Sequence, residues 1–263
     1  MNTISGDNAR MTSRRLESIE HSTLWDRAYS SLRAAVLAGR FAPGERVVLR
    51  KVADDLGISL TPVRDAVNRL IAERVLERGG LGPAGAAVVP LLSPGQFDQL
   101  MIIRSSLEPI AAAAAAERAS ASEIDAVETF LKEMKVSVKE NRIQCYLEAH
   151  YRFHFGLYEL SGMPLVQEII EGAWLRCAPT LTLSLPEHVP SLKRFKWHME
   201  TIAALRDHDG EKAAAAVRTD IESARHDLGL LLQQSQGQPA GKATASATPT
   251  SITASRPRRR SAG

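Results

Sequence analysis

The sequence predicts a mainly α-helical protein, with an N-terminal winged helix-turn-helix domain followed by an all-helical antiparallel bundle. Three observations predict this fold. Two short helical patterns are separated by Gly57, a glycine-rich turn between two short apolar runs follows them, and apolar residues at helical spacing then continue to residue 234. The inferred organisation is a disordered segment at 1–22, a winged helix-turn-helix at 23–91, a helical domain at 92–234 and a disordered tail at 235–263.

The composition is that of an ordinary globular chain. The 263 residues are 44% hydrophobic and 24% charged, which suffices for two domains with buried cores. No uninterrupted apolar run approaches the roughly 20 residues that a bilayer-spanning helix needs, and Met1 begins no leader pattern. We therefore expect a cytoplasmic protein without a membrane partner. Cys145 and Cys177 both lie in apolar helical pattern, so we expect buried, reduced thiols rather than a disulfide.

The charge is unevenly distributed along the chain. The net charge is only +3, but the first 90 residues carry 13 Lys and Arg against 10 Asp and Glu, and residues 233–263 carry 5 basic residues and no acidic ones. The middle of the chain therefore has a net charge of −5. This distribution indicates that a polyanion contacts the ends of the chain and that another kind of ligand contacts its centre.

The N-terminal elements follow from apolar spacing and turn residues. A first helix ends before Gly39, and the turn "APGE" follows it. A second helix ends at Gly57. A third helix begins with Thr61 as its N-cap and Pro62 at the first helical position. Residues 75–91 then form two strand-like runs around a glycine-rich turn, which predicts a hairpin.

The third helix has an apolar inner face and a polar outer face. Arg64 is able to donate two hydrogen bonds to a guanine edge, and Asn68 is able to pair with adenine. Ser59 and Thr61 are able to hold phosphates near the N-terminus of the helix. This pattern predicts a helix that enters the major groove of double-stranded DNA, with the hairpin as a wing against the backbone. A plain solvated surface is the alternative interpretation.

From Ser93 onward the sequence is typical of a helical bundle. Ser93 is able to cap a helix, Pro94 suits the first helical position, and Gln96 completes a capping box. Apolar periodicity interrupted by Ser, Gly, Pro and Asn predicts six helices. We place them at 94–119, 123–139, 142–161, 164–178, 191–207 and 211–234. The final residues are rich in Gly, Ser, Thr, Ala and Pro and end in a basic run, which is typical of a disordered tail.

The segment "EAHYRFHFG" places two histidines on one face of a bundle helix. His150 and His154 are four residues apart on a stripe that should pack inward. His198 and Asp220 lie on the inward stripes of two later helices. One divalent ion would satisfy three imidazoles and a carboxylate together, and zinc, nickel, manganese or iron would suit these donors. A pair of core histidines bonded to backbone or hydroxyl groups is the alternative.

Residues 32–70 read "LRAAVLAGRFAPGERVVLRKVADDLGISLTPVRDAVNRL" and contain a glycine after the first helix, a "PGE" turn and a "TPVR" helix start. This stretch closely resembles the winged-helix head of GntR-family bacterial transcription regulators. The helical remainder resembles the FCD-type effector domain of the FadR subfamily. The resemblance covers nearly all of residues 24–234.

The resemblance implies a set of DNA-contacting residues. They are Arg50, Ser59, Thr61 and Arg64, with Gly85 as the wing-tip glycine. One departure is Leu60, which stands where the family commonly has the arginine of "SRTPVR". A leucine donates no hydrogen bond but is able to touch a thymine methyl. We therefore expect Leu60 to be exposed in the groove-facing turn, and the operator to differ from those of relatives.

The resemblance also implies a metal site. Metal-binding FCD domains usually show Asp-x-x-Phe-His on one helix and a histidine on each of two later helices. Phe153 and His154 match this pattern, as does His198 in "WHMETIAAL". His150 stands where aspartate is usual, and Asp220 stands where histidine is usual. The donor types are therefore kept in exchanged positions, which implies a divalent metal, with zinc as the first expectation.

Arg104 lies on an inward stripe with Leu100. A buried ion pair with a nearby carboxylate is one interpretation of this arginine. The family's "R..LE" pattern, present here as Arg104, Leu107 and Glu108, instead implies an arginine that grips a small organic-acid effector with two hydrogen bonds.

These features together predict a ligand-responsive transcription regulator. A homodimer would bind a two-fold operator, and a small carboxylate would shift its DNA-binding domains. A helical-bundle metalloenzyme acting on a carboxylate is one alternative, and a constitutive DNA-architectural protein with a structural metal is another. No general base or nucleophile accompanies the metal motif, and an enzyme has no need of the N-terminal module. The effector, the operator and the sign of regulation stay open at this point.

Overall fold

The computed structural model of the chain describes residues 24–79, 87–184 and 195–237, with side chains as far as residue 234. Within these residues a winged helix-turn-helix head precedes a bundle of six helices, as predicted. The head contains α1 (Leu24–Leu37), β1 (Arg46–Val47), α2 (Leu49–Leu56), α3 (Leu60–Ala72), β2 (Glu77–Arg78) and β3 (Ala87–Val88). The bundle contains α4 (Pro94–Arg118), α5 (Ala121–Lys139), α6 (Ile143–Glu159), α7 (Pro164–Leu181), α8 (Phe195–Arg206) and α9 (Gly210–Gly237), with a 3-10 turn at Thr182–Ser184 after α7.

The helix-turn-helix depends on the turn between α2 and α3. Gly57 adopts a left-handed backbone with φ of 65°, and its N–H donates to carbonyls of the last turn of α2. The N-cap of α3 is Ser59 rather than the predicted Thr61, so α3 begins before Pro62. The prediction was wrong by two residues because proline is tolerated throughout the first helical turn, where backbone N–H groups have no partner within the helix.

The wing is part of a small antiparallel sheet with the strand order β1-β3-β2. Arg46 pairs with Val88 on one side of β3, and Glu77 pairs with Val88 on the other. The hairpin of β2 and β3 was predicted, whereas the two-residue strand β1 was not. The segment between β2 and β3 that contains Gly85 lies outside the described residues.

The bundle begins at the predicted capping box. The hydroxyl of Ser93 accepts from the backbone N–H of Gln96 at 3.2 Å, and the side chain of Gln96 accepts from the backbone N–H of Ser93 at 2.9 Å. Helix α4 packs most extensively against α9 and also against α7, while α5 packs against α6 and α8 packs against α9. This arrangement brings α6, α8 and α9 to a common interior. Within the described residues no helix is both long enough and apolar enough to cross a bilayer.

The two cysteines occupy different environments. Cys177 is buried in α7, as predicted, but Cys145 is exposed near the start of α6. The prediction for Cys145 was wrong because an amphipathic helix buries only one face. A residue with apolar neighbours in the sequence can therefore still lie on the solvent-facing side.

The winged helix-turn-helix head packs directly against helices α6 and α7 of the bundle. Gly39, just after α1, has φ of 63°, and a Cβ atom on it would lie 2.6 Å from the side chain of Leu147 in α6. The Gln144 side chain donates to the carbonyl of Gly39 at 3.4 Å. Arg33 of α1 forms an ion pair with Glu171 of α7. Helices α6 and α7 therefore connect the interior of the bundle to the DNA-binding head.

Candidate metal centre and nucleic-acid interface

Three helices bring the four predicted ligands together. His150 and His154 project from α6, His198 projects from α8, and Asp220 projects from α9. One potential ligand atom from each residue lies within 4.8 Å of all the others. The structure therefore contains a cluster of three imidazoles and one carboxylate that could hold a metal ion.

The separations between these ligand atoms are close to those around a single ion. The Nε2 atoms of His150 and His154 are 3.2 Å apart. Two ligands bonded at ~2.1 Å to one ion lie roughly 3.0 Å apart at a right angle and roughly 3.4 Å apart at a tetrahedral angle. The distance from His154 Nε2 to Asp220 Oδ2 is 3.6 Å, and that from His198 Nδ1 to Asp220 Oδ1 is 3.8 Å. The residues present thus fit a divalent metal.

Burial is uneven across the cluster. The side chains of His154 and His198 are only 2% and 4% exposed, whereas the side chain of Asp220 is 19% exposed. Asp220 faces the cluster from α9, as its inward stripe predicts, but solvent still reaches this part of the helix. His150 is also half-buried. His150 and Asp220 are therefore the two members of the cluster that solvent reaches most.

The two histidines of α6 are held in the form that binds metals. Burial lowers the pKa of His154 well below its usual value, and the neighbouring His150, His198 and Arg104 lower it further. Burial also lowers the pKa of His150, with His198 and Arg104 as further causes. A lowered pKa keeps both imidazoles neutral at neutral pH, and neutral imidazole is the ligand form.

We expect metal affinity to stay nearly constant through neutral pH and to fall in acid. A depressed pKa means that protons compete for His150 and His154 only below the usual titration range of histidine. Metal titrations of the untagged protein over a pH series would measure this dependence. A steep loss of affinity already between about pH 8 and about pH 7 would contradict the depressed pKa values.

A buried hydrogen-bond network lies behind His154. Its Nδ1 is 3.1 Å from the hydroxyl of Tyr158, and that hydroxyl donates to Glu108 Oε2 at 2.5 Å. Glu108 Oε1 accepts from Trp174 Nε1 at 2.8 Å and from Arg104 Nε at 2.6 Å. Burial raises the pKa of Tyr158 well above its usual value, and Glu108 raises it further, so the phenol keeps its proton.

Arg104 is buried, as its position in the sequence predicts, and it forms the ion pair that was one of the two interpretations. Its partner is the fully buried Glu108, one helical turn later in α4. Burial opposes the charged form of Arg104, but Glu108 and the other nearby acidic groups outweigh it and raise the pKa. The guanidinium also lies 4.0 Å from the centre of the Trp174 ring.

Sequence reasoning missed Tyr158 and Trp174 in this network, and it named Glu108 only as part of the "R..LE" pattern. Tyr158 lies four residues after His154, and Glu108 lies four residues after Arg104, so the helical i, i+4 rule could have suggested both. Trp174 carried no comparable signal, because it meets Glu108 from another helix, 66 residues away in the chain.

The predicted DNA-contacting residues lie on the head. Arg64 and Asn68 are exposed on α3, while Val63, Val67 and Leu70 on its opposite face are buried. Three further predicted residues are also exposed. Arg50 lies in the first turn of α2, Ser59 is the N-cap of α3, and Thr61 lies in the first turn of α3. These residues lie on different helices from the candidate metal ligands, which belong to α6, α8 and α9.

Leu60 differs from its expected setting. It is half-buried at the start of α3 and packs against the hydrophobic core. The expectation of an exposed residue was wrong because a leucine in the first turn of α3 gains free energy by covering neighbouring apolar side chains. Its partial exposure still leaves part of the side chain available to a ligand.

Two family models match the chain in consecutive segments. Residues 24–82 match the model described as bacterial regulatory proteins, gntR family, and residues 99–223 match the FCD domain. These segments cover most of the head and most of the helical bundle. The helix-turn-helix and the four residues His150, His154, His198 and Asp220 thus fall within matched regions, whereas β3 lies between the two matches.

Relatives and a solved structure agree with these matches. The HTH-type transcriptional regulator McbR of Escherichia coli (strain K12) is 28% identical, over 82% of this chain and 92% of the relative. The Nta operon transcriptional regulator of Aminobacter aminovorans is 34% identical, over 69% of this chain and 83% of the relative. A solved structure of E. coli McbR/YncC has a TM-score of 0.73 and 26% identity, over 82% of this chain and 100% of that chain.

These relatives are named as transcriptional regulators rather than enzymes, which confirms the prediction of a regulator over a metalloenzyme. The two matched segments cover most of the head and then most of the bundle, in the same order as these parts occur in the chain. The chain belongs to the GntR family of bacterial regulatory proteins and joins that family's DNA-binding head to an FCD domain.

Proposed function

We propose that this protein is a homodimeric repressor whose operator binding responds to a small carboxylate effector. Its helical domain would bind one divalent metal, with zinc as the first candidate, through His150, His154, His198 and Asp220. The observation that carries the proposal is the convergence of these four donor groups within 4.8 Å in the domain attached to the head. Repression is proposed by analogy with a relative named as a galactonate operon transcriptional repressor, 23% identical to this chain.

The donor set supports zinc and an anionic ligand. Three imidazoles and a carboxylate are nitrogen and oxygen donors that zinc accepts readily. When bound, the metal would supply positive charge to attract a carboxylate. The partial exposure of His150 and Asp220 leaves a route for such a ligand.

Arg104 supports a second contact with the effector. Its Nη1 atom faces the sulphur atoms of Met101 at 3.7 Å and Cys177 at 3.6 Å. Sulphur is a weak hydrogen-bond acceptor, so a carboxylate oxygen would be a stronger partner for this guanidinium nitrogen. We propose that Arg104 binds the end of the effector that is distant from the metal.

The contacts between the head and the bundle support a route from effector to DNA. Helix α6 carries two proposed ligands, His150 and His154, and its first half contacts Gly39 of the head through Leu147. Glu171 of α7 accepts from the Tyr151 hydroxyl of α6 at 3.5 Å and pairs with Arg33 of α1. A small displacement of α6 would therefore reach the head through packed side chains.

Selection of DNA from a random pool by the untagged protein, followed by a screen of small carboxylates on the selected DNA, tests this function. We expect a two-fold symmetric operator, because a symmetric dimer presents two α3 helices about one helical turn of DNA apart. We also expect at least one carboxylate to release the operator. Enrichment of no common sequence, or operator binding that no carboxylate changes, would count against the proposal.

Removal of the Arg33 side chain should weaken the coupling between effector and operator. Arg33→Ala deletes the ion pair between Arg33 and Glu171, whose side chains are 29% and 21% exposed respectively. Because both side chains are partly exposed, we expect the free energy of unfolding to fall by roughly 1 kcal/mol at most. The response of operator affinity to the carboxylate found in the screen should shrink more clearly. Arg27→Ala, an exposed site on the same helix, is the matched control. Equal effector responses in both variants would contradict this route.

A further inference from the structure

The hydroxyl of Tyr158 lies between a proposed metal ligand and a buried carboxylate. It is 3.1 Å from His154 Nδ1 and 2.5 Å from Glu108 Oε2. Tyr158 and Glu108 are fully buried, so no bulk water competes for these contacts. A short chain of hydrogen bonds therefore links α4 to α6 on the Nδ1 side of His154, away from the other proposed metal ligands.

The direction of each hydrogen bond follows from the groups present. Trp174 and Arg104 supply only donors, so Glu108 accepts from both of them. As the carboxylate partner of the Arg104 guanidinium, Glu108 also accepts at Oε2, from Arg104 Nη2 at 3.4 Å, so the Tyr158 hydroxyl is the donor of its bond to Oε2. The oxygen of that hydroxyl then presents a lone pair to His154, and Nδ1 of His154 must be the donor.

This assignment fixes the tautomer of His154. A neutral imidazole with its proton on Nδ1 has its lone pair on Nε2. His154 Nε2 is the atom that lies 3.2 Å from His150 Nε2 and 3.6 Å from Asp220 Oδ2, inside the cluster. The hydrogen-bond chain thus turns the metal-binding nitrogen of His154 toward the other ligands.

We infer that Tyr158 and Glu108 are positioning residues for the metal site, which hold His154 in its metal-binding tautomer and orientation. This inference rests on the proposed function, because it requires a metal to bind the cluster. Glu108 is itself fixed by Trp174 and Arg104, so the Tyr158 hydroxyl meets an acceptor at a defined position. Outer-shell partners of this kind commonly change metal affinity by roughly 10- to 100-fold when they are removed.

Zinc titration against a chromophoric chelator tests the inference on the untagged full-length protein. Three proteins are compared: the unmodified chain, Tyr158→Phe and Tyr151→Phe. The Tyr151→Phe variant removes a hydroxyl from the same helix, but that hydroxyl contacts Glu171 rather than the cluster. We expect Tyr158→Phe to bind zinc roughly 10- to 100-fold more weakly than the unmodified protein, and Tyr151→Phe to bind it equally well.

The outcomes separate this inference from the proposed function. Equal zinc affinity of the unmodified protein and a folded Tyr158→Phe variant overturns the positioning role and leaves the metal site in place. Absence of zinc binding by the unmodified protein overturns the metal site and the inference together. Equal weakening in Tyr151→Phe also overturns the positioning role, because any lost hydroxyl on α6 would then have the same effect.

A second measurement needs no variant and therefore holds even if Tyr158→Phe does not fold. Imidazole nitrogen NMR of the metal-free unmodified protein reports which nitrogen of His154 carries the proton before a metal occupies Nε2. We expect a proton on Nδ1 and none on Nε2. A proton on Nε2 would overturn the inference, and a merely structural role for Tyr158 would not fix the tautomer.

Discussion

Replacement of His154 with alanine should abolish stoichiometric metal binding by the helical domain. The Nε2 atom of His154 lies 3.2 Å from His150 Nε2 and 3.6 Å from Asp220 Oδ2, so it would bond directly to the ion. Loss of a direct ligand should weaken affinity by more than the roughly 100-fold upper range for outer-shell residues. Asp220→Ala should have a similar effect, because it removes the one carboxylate of the cluster.

Metal content and zinc affinity of the untagged variants measure this result. His226→Ala is the matched control, because His226 is an exposed histidine of α9 outside the cluster. Far-UV circular dichroism would verify that the variants remain folded, since His154→Ala leaves a small cavity and removes one of the two hydrogen-bond partners of the Tyr158 hydroxyl. Full retention of metal by both His154→Ala and Asp220→Ala would return these residues to the alternative role of hydrogen-bonded core groups.

Replacement of Arg64 with alanine should remove specific operator binding while the bundle stays folded. Arg64 is exposed on α3, opposite the buried face formed by Val63 and Val67. One bidentate contact with a guanine contributes ~1–3 kcal/mol of discrimination, and a symmetric dimer makes two of them. The expected loss of operator affinity is therefore roughly 30-fold or more, at about 1.4 kcal/mol for each factor of ten.

Fluorescence anisotropy with the selected operator, at one fixed salt concentration, measures this loss. Arg74→Ala is the charge-matched control, because Arg74 is exposed just beyond the C-terminal end of α3. It should reduce binding only through nonspecific attraction to phosphates. An unchanged footprint and unchanged affinity in Arg64→Ala would show that Arg64 does not read bases.

The sequence was most informative where local chemistry has few solutions. Gly57 predicted the turn of the head because a left-handed backbone favours glycine, and Ser93 with Gln96 predicted the start of α4 because a capping box satisfies two orphan N–H groups. The i, i+4 spacing of His150 and His154 placed both on one face of α6. Helical periodicity then indicated that His198 and Asp220 face the same interior.

Features that depend on tertiary packing were less predictable. The hydrogen bond from Trp174 to Glu108 joins two helices that are distant in the chain, so no local sequence pattern predicts it. The exposure of Cys145 and the partial burial of Leu60 depend on which neighbouring helix or core covers each side chain. Strand β1 is only two residues long and is stabilised by pairing with β3 rather than by its own sequence.

We expect the exchanged set of three histidines and one aspartate to bind a metal in the FCD domain. Anomalous X-ray diffraction from crystals of the untagged protein, purified without added metal or chelator, tests it most directly. We predict one anomalous peak per chain, bonded at ~2.0–2.2 Å to His150, His154, His198 and Asp220. Absence of a peak at this cluster in crystals soaked with zinc, or a peak bonded to other residues, would contradict the claim.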